Sequence, residues 1–350
     1  MAVTPITEAT MQRIKTVLEG RNEIYKQFVQ KYKKTTWDEV AYQVKSGKAN
    51  LIYDIGDELV CNYRYYAAND VDYTDYDFPW VVADFREVEW QDGTTHPGMI
   101  LQAKYCTIES MMFDASEQVA CDSSTETVAE DGIYYFGKSG STWTALDLST
   151  GDTIPYGDYD TIYKNDVNNL SIVQNGYNNY KLSAQRQWLN SAGSKGEWWS
   201  ATHVGDAPPS QLNSVRGFLN GLDDDFIAVV NPIKIQVARN TICDGGGIDV
   251  MHDKFFLPSL EEMYGVPQLA DVEGPYLPYW KDLTGLSAPT NAANAGRVIV
   301  DVDNKQAQTC RLRSAYRGYS RGAWAVSTSG NLHYYGASAS YRCAPACAIS

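Results

Sequence analysis

Residues 309–350 read TCRLRSAYRGYSRGAWAVSTSGNLHYYGASASYRCAPACAIS, and the rest of the chain is best approached from them. The stretch holds no Lys, Glu, Gln, Met or Asp. Residues 1–308 hold 16 Lys, 15 Glu, 15 Gln and 7 Met, so a stretch of this length should contain about seven of these four types. Its five arginines, Arg311, Arg313, Arg317, Arg321 and Arg342, give it a formal charge of +5 against −19 for the remainder. Trp324, Val326 and Leu332 alternate with Ala325, Ser327, His333 and Tyr335 on either side of Ser329-Gly330-Asn331. Period-two alternation predicts strand geometry on either side of the glycine, with Trp324, Val326 and Leu332 turned into the core and the other set outward. Tyr316, Tyr319, Arg321, Tyr334, Ser338 and Tyr341 lie in flanking stretches rich in Gly and Ser.

Upstream, helical and strand signals alternate without a repeat. Met11, Ile14, Leu18, Tyr25, Phe28 and Tyr32 recur at steps of three and four across residues 7–33, with Arg21 in the vacant place. That is an a/d seam, which serves either oligomerisation or packing on the chain's own domain. Thr36-Trp37-Asp38-Glu39 predicts a capping box and a short second helix, with Val40 and Val44 on its inner face. Residues 51–55, 59–65, 80–90 and 99–104 read as strands, punctuated by Gly56-Asp57 and Asp92-Gly93. Residues 113–175 read as a β-rich excursion, with strands at 132–136 and 142–146. Helical character is expected at 184–190 and 211–219, strands at 226–230 and 234–237, and a capped turn from Ser259. The sum is an α+β fold, divided into a helical segment 1–50 and a domain 51–350.

Composition narrows the function. A net charge of −14 argues against a nucleic-acid partner. No apolar run reaches the roughly 20 residues of a spanning helix, and the opening MAVTP shows no signal peptide, so no membrane insertion and a cytoplasmic origin are expected. The seven scattered cysteines then read as buried thiols. Only four histidines exist and none clusters with Cys343 and Cys347, so no metal site is expected. Asp70, Asp72, Asp75 and Asp77 lack the spacing of a calcium loop, and Asp244-Gly245-Gly246-Gly247 lacks the lysine and helix of a phosphate loop. No catalytic motif was found, so neither an enzyme nor a cofactor is expected. The unusual count is 25 Tyr, with 9 Trp and 27 Gly, a mixture that binding surfaces favour.

The gaps in the tail's composition have a direct genetic source. Randomising the first two bases of AAC codons yields codons that never encode Lys, Glu, Gln, Met or Trp, and the tail obeys this apart from Trp324. Together with Arg311-Leu312-Arg313-Ser314, Ala323-Trp324, Ser329-Gly330-Asn331-Leu332 and Tyr341-Arg342-Cys343-Ala344-Pro345-Ala346-Cys347, it resembles the variable proteins of diversity-generating retroelements. Arg186-Gln187-Trp188-Leu189-Asn190 and the segment from Phe255 through Pro258 to Met263 look like the same family's core. The likeness covers residues 180–350 well and 51–112 loosely. The family's Trp-Trp before Leu-Arg-Ser is replaced by Thr309-Cys310-Arg311.

The resemblance implies a C-type-lectin-like domain with 309–350 as its variable region. Tyr316, Tyr319, Arg321, Ala325, Ser327, His333, Tyr334, Tyr335, Ser338 and Tyr341 would form one ligand face, with Arg313, Trp324, Leu332, Cys343 and Pro345 as scaffold. The implied role is host recognition by a phage or prophage tail adhesin, on the virion or in the bacterial cytoplasm before assembly. Its partner would be a cell-surface protein or glycan, and residues 7–33 would serve a homotrimer. A structural fibre or decoration protein is the alternative. A relative of formylglycine-generating oxidases, using Cys343, Cys347 and copper, is a remoter one.

Overall fold

The strand-like texture after Gly56 becomes an antiparallel meander that carries the rest of the molecule. The computed structural model describes residues 36–67, 69–115, 117–121, 125–127, 135–139, 142–146, 162–164, 170–174, 178–202, 206–240, 246–269, 272–284, 294–318 and 321–350. The seam at 7–33 lies outside them. Helix α1 (Trp37–Lys45) precedes strands β1 (Glu58–Tyr66), β2 (Tyr73–Glu89), β3 (Thr95–Ala103) and the short β4 (Met111–Met112). Next come α2 (Ala184–Leu189), α3 (Asp224–Val229), the pair β5 (Ile233–Ala238) and β6 (Ile248–Asp253), β7 (Phe255–Phe256), α4 (Leu260–Tyr264) and α5 (Pro278–Thr284). The tail forms β8 (Cys310–Ala315), β9 (Gly322–Val326), β10 (Leu332–Gly336), β11 (Ser340–Tyr341) and β12 (Ala346–Ile349). The fold is mixed, mostly sheet with few helices.

The principal sheet has the order β1-β2-β3-β12-β7, so the end of the tail is paired between the meander and β7. Ala346, Cys347, Ala348 and Ile349 are buried there. One side packs on an aromatic core: Trp37 lies 4.3 Å from Phe226, Trp80 5.2 Å from Phe226 and 5.7 Å from Phe255, and Trp188 5.4 Å from Phe218 (ring centroids). Such tilted ring contacts add to an area term of about 25 cal/mol per Å² of apolar surface removed from water.

Several elements form where the sequence predicts them. Val40 and Val44 of α1 are buried, and Gly47 closes that helix at φ +69°. Thr36 starts it differently, donating its hydroxyl to the Glu39 carboxylate at 2.9 Å instead of capping the backbone. The box at Ser259 is complete: its Oγ accepts from Glu262 N–H, and the Glu262 side chain accepts from Ser259 N–H. Between 113 and 175 the described residues form two three-stranded sheets, which include Thr142–Leu146, as expected, and Tyr135–Ser139, which meets the expected strand 132–136 at 135–136; residues 132–134 lie outside the described residues.

Three expectations are corrected. Residues 51–55 are not a strand, because a 3₁₀ turn at Ala49–Leu51 takes the chain into a loop. Residues 226–230 are not a strand but mostly α3; Asp224 and Asp225 suit its N-terminus, and Phe226 and Val229, one turn apart, form its buried side. Residues 211–219 form turns and a 3₁₀ segment at Phe218–Gly221. Gly217 breaks any longer helix: its backbone is extended, and a Cβ there would meet the Ser191 carbonyl at 2.2 Å.

Candidate functional site

All six residues of β8 are buried, although a strand buries alternate residues by default. The cause is an irregularity in the pairing with β9. Arg311 faces Ala325 and Ala315 faces Ala323, so the chain between Arg311 and Ala315 bulges. The bulge sends Arg313 and Ser314 away from β9 and towards α4. Arg313 pairs with Glu262 at 2.5 Å and donates to the carbonyls of Leu257 (2.7 Å) and Glu273. Ser314 donates to the Glu273 carboxylate at 2.6 Å and accepts from Leu260 N–H at 2.8 Å. Burial alone would raise the Glu262 carboxyl, but the charges of Arg313 and Arg86 and the bonds from Arg313 and Ser259 outweigh it and hold the carboxyl low. For Glu273 burial prevails and the carboxyl is pushed up. Arg313 thus ties β8 to the start of α4 and to the Glu273 segment through buried bonds.

Strands β9 and β10 form a hairpin, with Trp324 opposite Tyr334, Ala325 opposite His333 and Ala323 opposite Tyr335. Opposed residues share a face, so alternation separates two aromatic trios. On one face Tyr316 and Tyr334 stack at 4.5 Å, with Trp324 edge-on to both at 5.1 and 5.9 Å. On the other, His333 stacks on Tyr335 at 4.6 Å and Tyr335 meets Tyr341 at 4.6 Å. His333 and Tyr334 are exposed, while Tyr316, Arg321, Ser327, Tyr335, Ser338 and Tyr341 are half-buried. Tyr319 lies outside the described residues.

The sequence reading of this hairpin needs correcting on burial. Ala325 does not face solvent and is wholly buried. It sits on the middle strand between Arg311 and His333, whose longer side chains flank its methyl group. Trp324 and Leu332 are only half-buried and pack at the margin of the core. The face that holds Trp324 also holds Tyr334, so the expected ligand residues do not all share one side of the hairpin.

Both ends of the hairpin are pinned. Gly330 adopts φ +75°, its carbonyl accepts from the Tyr264 hydroxyl at 2.7 Å, and a Cβ there would meet the Asn294 carbonyl oxygen at 1.7 Å. Beyond β10, Thr107 N–H donates to the Cys343 carbonyl at 2.8 Å, and the Gln102 amide reaches the carbonyls of Ala344 (2.7 Å) and Pro345 (3.2 Å). Arg342 lies 3.5 Å from Asp301 and 3.6 Å from Asp303. Cys343 and Cys347 are buried, and desolvation pushes both thiols up, the reverse of what a reactive thiolate needs. Among the described residues no group of three or more His, Cys, Asp and Glu side chains could hold a metal ion.

One supporting residue, Asn178, carried no usable signal in the sequence, and a second, Arg311, gave none of its burial. Asn178, fully buried, donates to the carbonyls of Tyr316 (3.3 Å) and Gly322 (2.8 Å), closing the base of the loop between β8 and β9, and Asn240 in turn donates to it at 2.8 Å. Arg311, part of the quoted motif, is buried beneath the second trio, its guanidinium carbon 4.7 Å from the centre of the Tyr341 ring. What the whole arrangement offers is ring faces, hydroxyls and an imidazole at a surface, held by a rigid buried frame.

A family model described as "Domain of unknown function (DUF6273)" matches residues 160–350, more than half of the chain and all of the tail. No curated protein and no solved structure matches.

Proposed function

We propose that this chain, which belongs to the DUF6273 family, is a ligand-binding protein whose tail is diversified by a retroelement. In this reading residues 51–350 form a C-type-lectin-like domain, and the chain is a phage or prophage tail adhesin that recognises a protein or glycan on a bacterial host. One observation carries the proposal: the tail divides cleanly into a frame and a display. Arg311, Arg313, Ser314, Cys343 and the strand Ala346–Ile349 are buried, and the side chains of Arg313 and Ser314 are spent on bonds to the rest of the domain. His333 and Tyr334 are exposed and Tyr335 and Tyr341 half-exposed; their rings meet other aromatic side chains of the tail and Arg311. Changes at such positions cost little stability, which a surface built for variation requires, and Tyr and His bring rigid contact area and adaptable polarity.

The test is genomic and then biochemical. A reverse transcriptase gene and an Asn-rich copy of the segment encoding 309–350 should lie close to this gene. Purified protein should bind host cells through the tail, with Tyr334→Ala or Tyr335→Ala cutting binding by about 2 kcal/mol or more at an unchanged melting temperature. Absence of any template copy would remove the diversification half of the reading, and cell binding indifferent to both variants would remove the rest.

A further inference from the structure

The arginines of the tail differ in how their charge is met. Arg313 faces Glu262, and Arg342 faces Asp301 and Asp303. Arg311 is fully buried, yet among the described residues it has no carboxylate partner. Its Nη atoms donate to the carbonyls of Ala323 (3.2 Å), Tyr335 (2.9 Å), Gly336 (2.5 Å) and Ala339 (3.0 Å), and its Nε has no partner. Carbonyl dipoles solvate a cation without cancelling it, so a full positive charge remains in a low-dielectric setting. Desolvation accordingly lowers the guanidinium pKa to about 10.

The rings directly outside this charge belong to Tyr341 and Tyr335, centred 4.7 and 5.9 Å from the guanidinium carbon. Both are half-exposed, and neither hydroxyl has a bonding partner among the described residues. Two phenols without hydroxyl partners among the described residues thus have their rings against a buried cation that no carboxylate offsets, and both are part-exposed. The tail contains no Asp or Glu to compete for them, while the rest of the chain carries −19.

We propose that the His333–Tyr335–Tyr341 face receives a carboxylate from an Asp or Glu side chain in an acidic segment of a protein partner. This rests on the reading of the tail as a ligand surface. An anion on the two phenol O–H groups gains charge-assisted hydrogen bonds and the field of Arg311 together. The strongly negative remainder of the molecule turns such a segment away everywhere else, so an acidic partner approaches tail first. A peptide is preferred to a saccharide because the Glu and Asp side chains of an acidic segment present single carboxylates on short flexible stems, which the narrow space beside the two phenols admits; the neighbouring carbonyls of Tyr334, Tyr335 and Gly336 are already engaged by His333 and Arg311.

The experiment titrates the full chain at low ionic strength with acetyl-Gly-Glu-Gly-Glu-Gly-amide, its Gln counterpart and an oligogalacturonate. The Glu peptide should bind at least about tenfold more tightly than the Gln peptide. Tyr335→Phe and Tyr341→Phe, which keep the rings, should each remove most of that preference, and Tyr42→Phe on α1 should not. Equal binding of the two peptides, no binding of either, or full preference in both phenylalanine variants overturns the proposal. Oligogalacturonate binding with the same phenol dependence, in place of the peptide, overturns the choice of a protein partner. The ligand-surface reading fails separately, if host-cell binding survives Tyr334→Ala and Tyr335→Ala.

Discussion

Among single residues, the tail separates those that hold the fold from those free to differ. Arg313 and Glu262 are both buried and face each other at 2.5 Å. Glu262→Gln strips the cation of its partner and should cost about 3–5 kcal/mol in denaturant unfolding. The same pair sets an acid limit. Because the folded carboxyl is held below its ordinary value, its contribution is complete above the ordinary carboxylate range and fades as pH falls through the lowered value. The Gln variant should therefore lose less stability than the native chain between neutral and strongly acid pH. Ala325 belongs with the frame despite its place in the alternation. Ala325→Tyr should cost about 1–3 kcal/mol by overpacking, whereas His333→Ala, at an exposed position, should stay within about 0.5 kcal/mol. Melting temperatures of the two variants decide this, and equal shifts would show that Ala325 has room above it.

At the scale of elements, the β9–β10 hairpin depends on Gly330. A side chain there is opposed twice, by a φ of +75° and by the Asn294 carbonyl oxygen 1.7 Å from the Cβ site. Gly330→Ala should destabilise the protein by about 2–4 kcal/mol, read by denaturant unfolding; a smaller effect would mean that the 294–298 turn yields. Asn178→Ala tests the loop between β8 and β9. It frees the carbonyls of Tyr316 and Gly322 at a cost of about 1–3 kcal/mol and should weaken ligand binding by letting Tyr316 leave Tyr334. The strands of the hairpin were legible because alternation specifies them locally, and so was the α4 cap, since Ser259 and Glu262 lie three residues apart. Burial within the hairpin was not legible. Whether Ala325 or Trp324 is covered depends on the neighbouring strands, and the β8 bulge that brings Arg311 opposite Ala325 leaves no mark in the spacing. The α3 region failed for another reason: Phe226 to Val230 is a short apolar run that suits a strand or a helix equally, and its acidic start tips the balance. Asn178 lay beyond reach because its partners are 138 and 144 residues away.

For the molecule as a whole, the proposed ligand-binding role raises the question of how many tails would meet a target at once. One face carrying a few aromatic anchors binds modestly, and linking copies converts later contacts into intramolecular ones with gains of about 10²–10⁴ in avidity. The a/d seam of residues 7–33, with Met11, Ile14, Leu18, Tyr25, Phe28 and Tyr32 on one stripe, suits the joining of copies. The formal charge of −19 outside the tail opposes the approach of copies, so the apolar seam has to outweigh that repulsion for them to join. The full chain should therefore sediment as a trimer, and a chain lacking residues 1–34 as a folded monomer with the same melting transition. The shortened chain should bind isolated ligand as the full chain does but lose about 10²-fold or more on a surface that presents many copies. A full-length monomer would make the seam a packing stripe for the chain's own domain, and removing it would then lower the melting temperature and leave the surface-to-solution ratio of affinities unchanged.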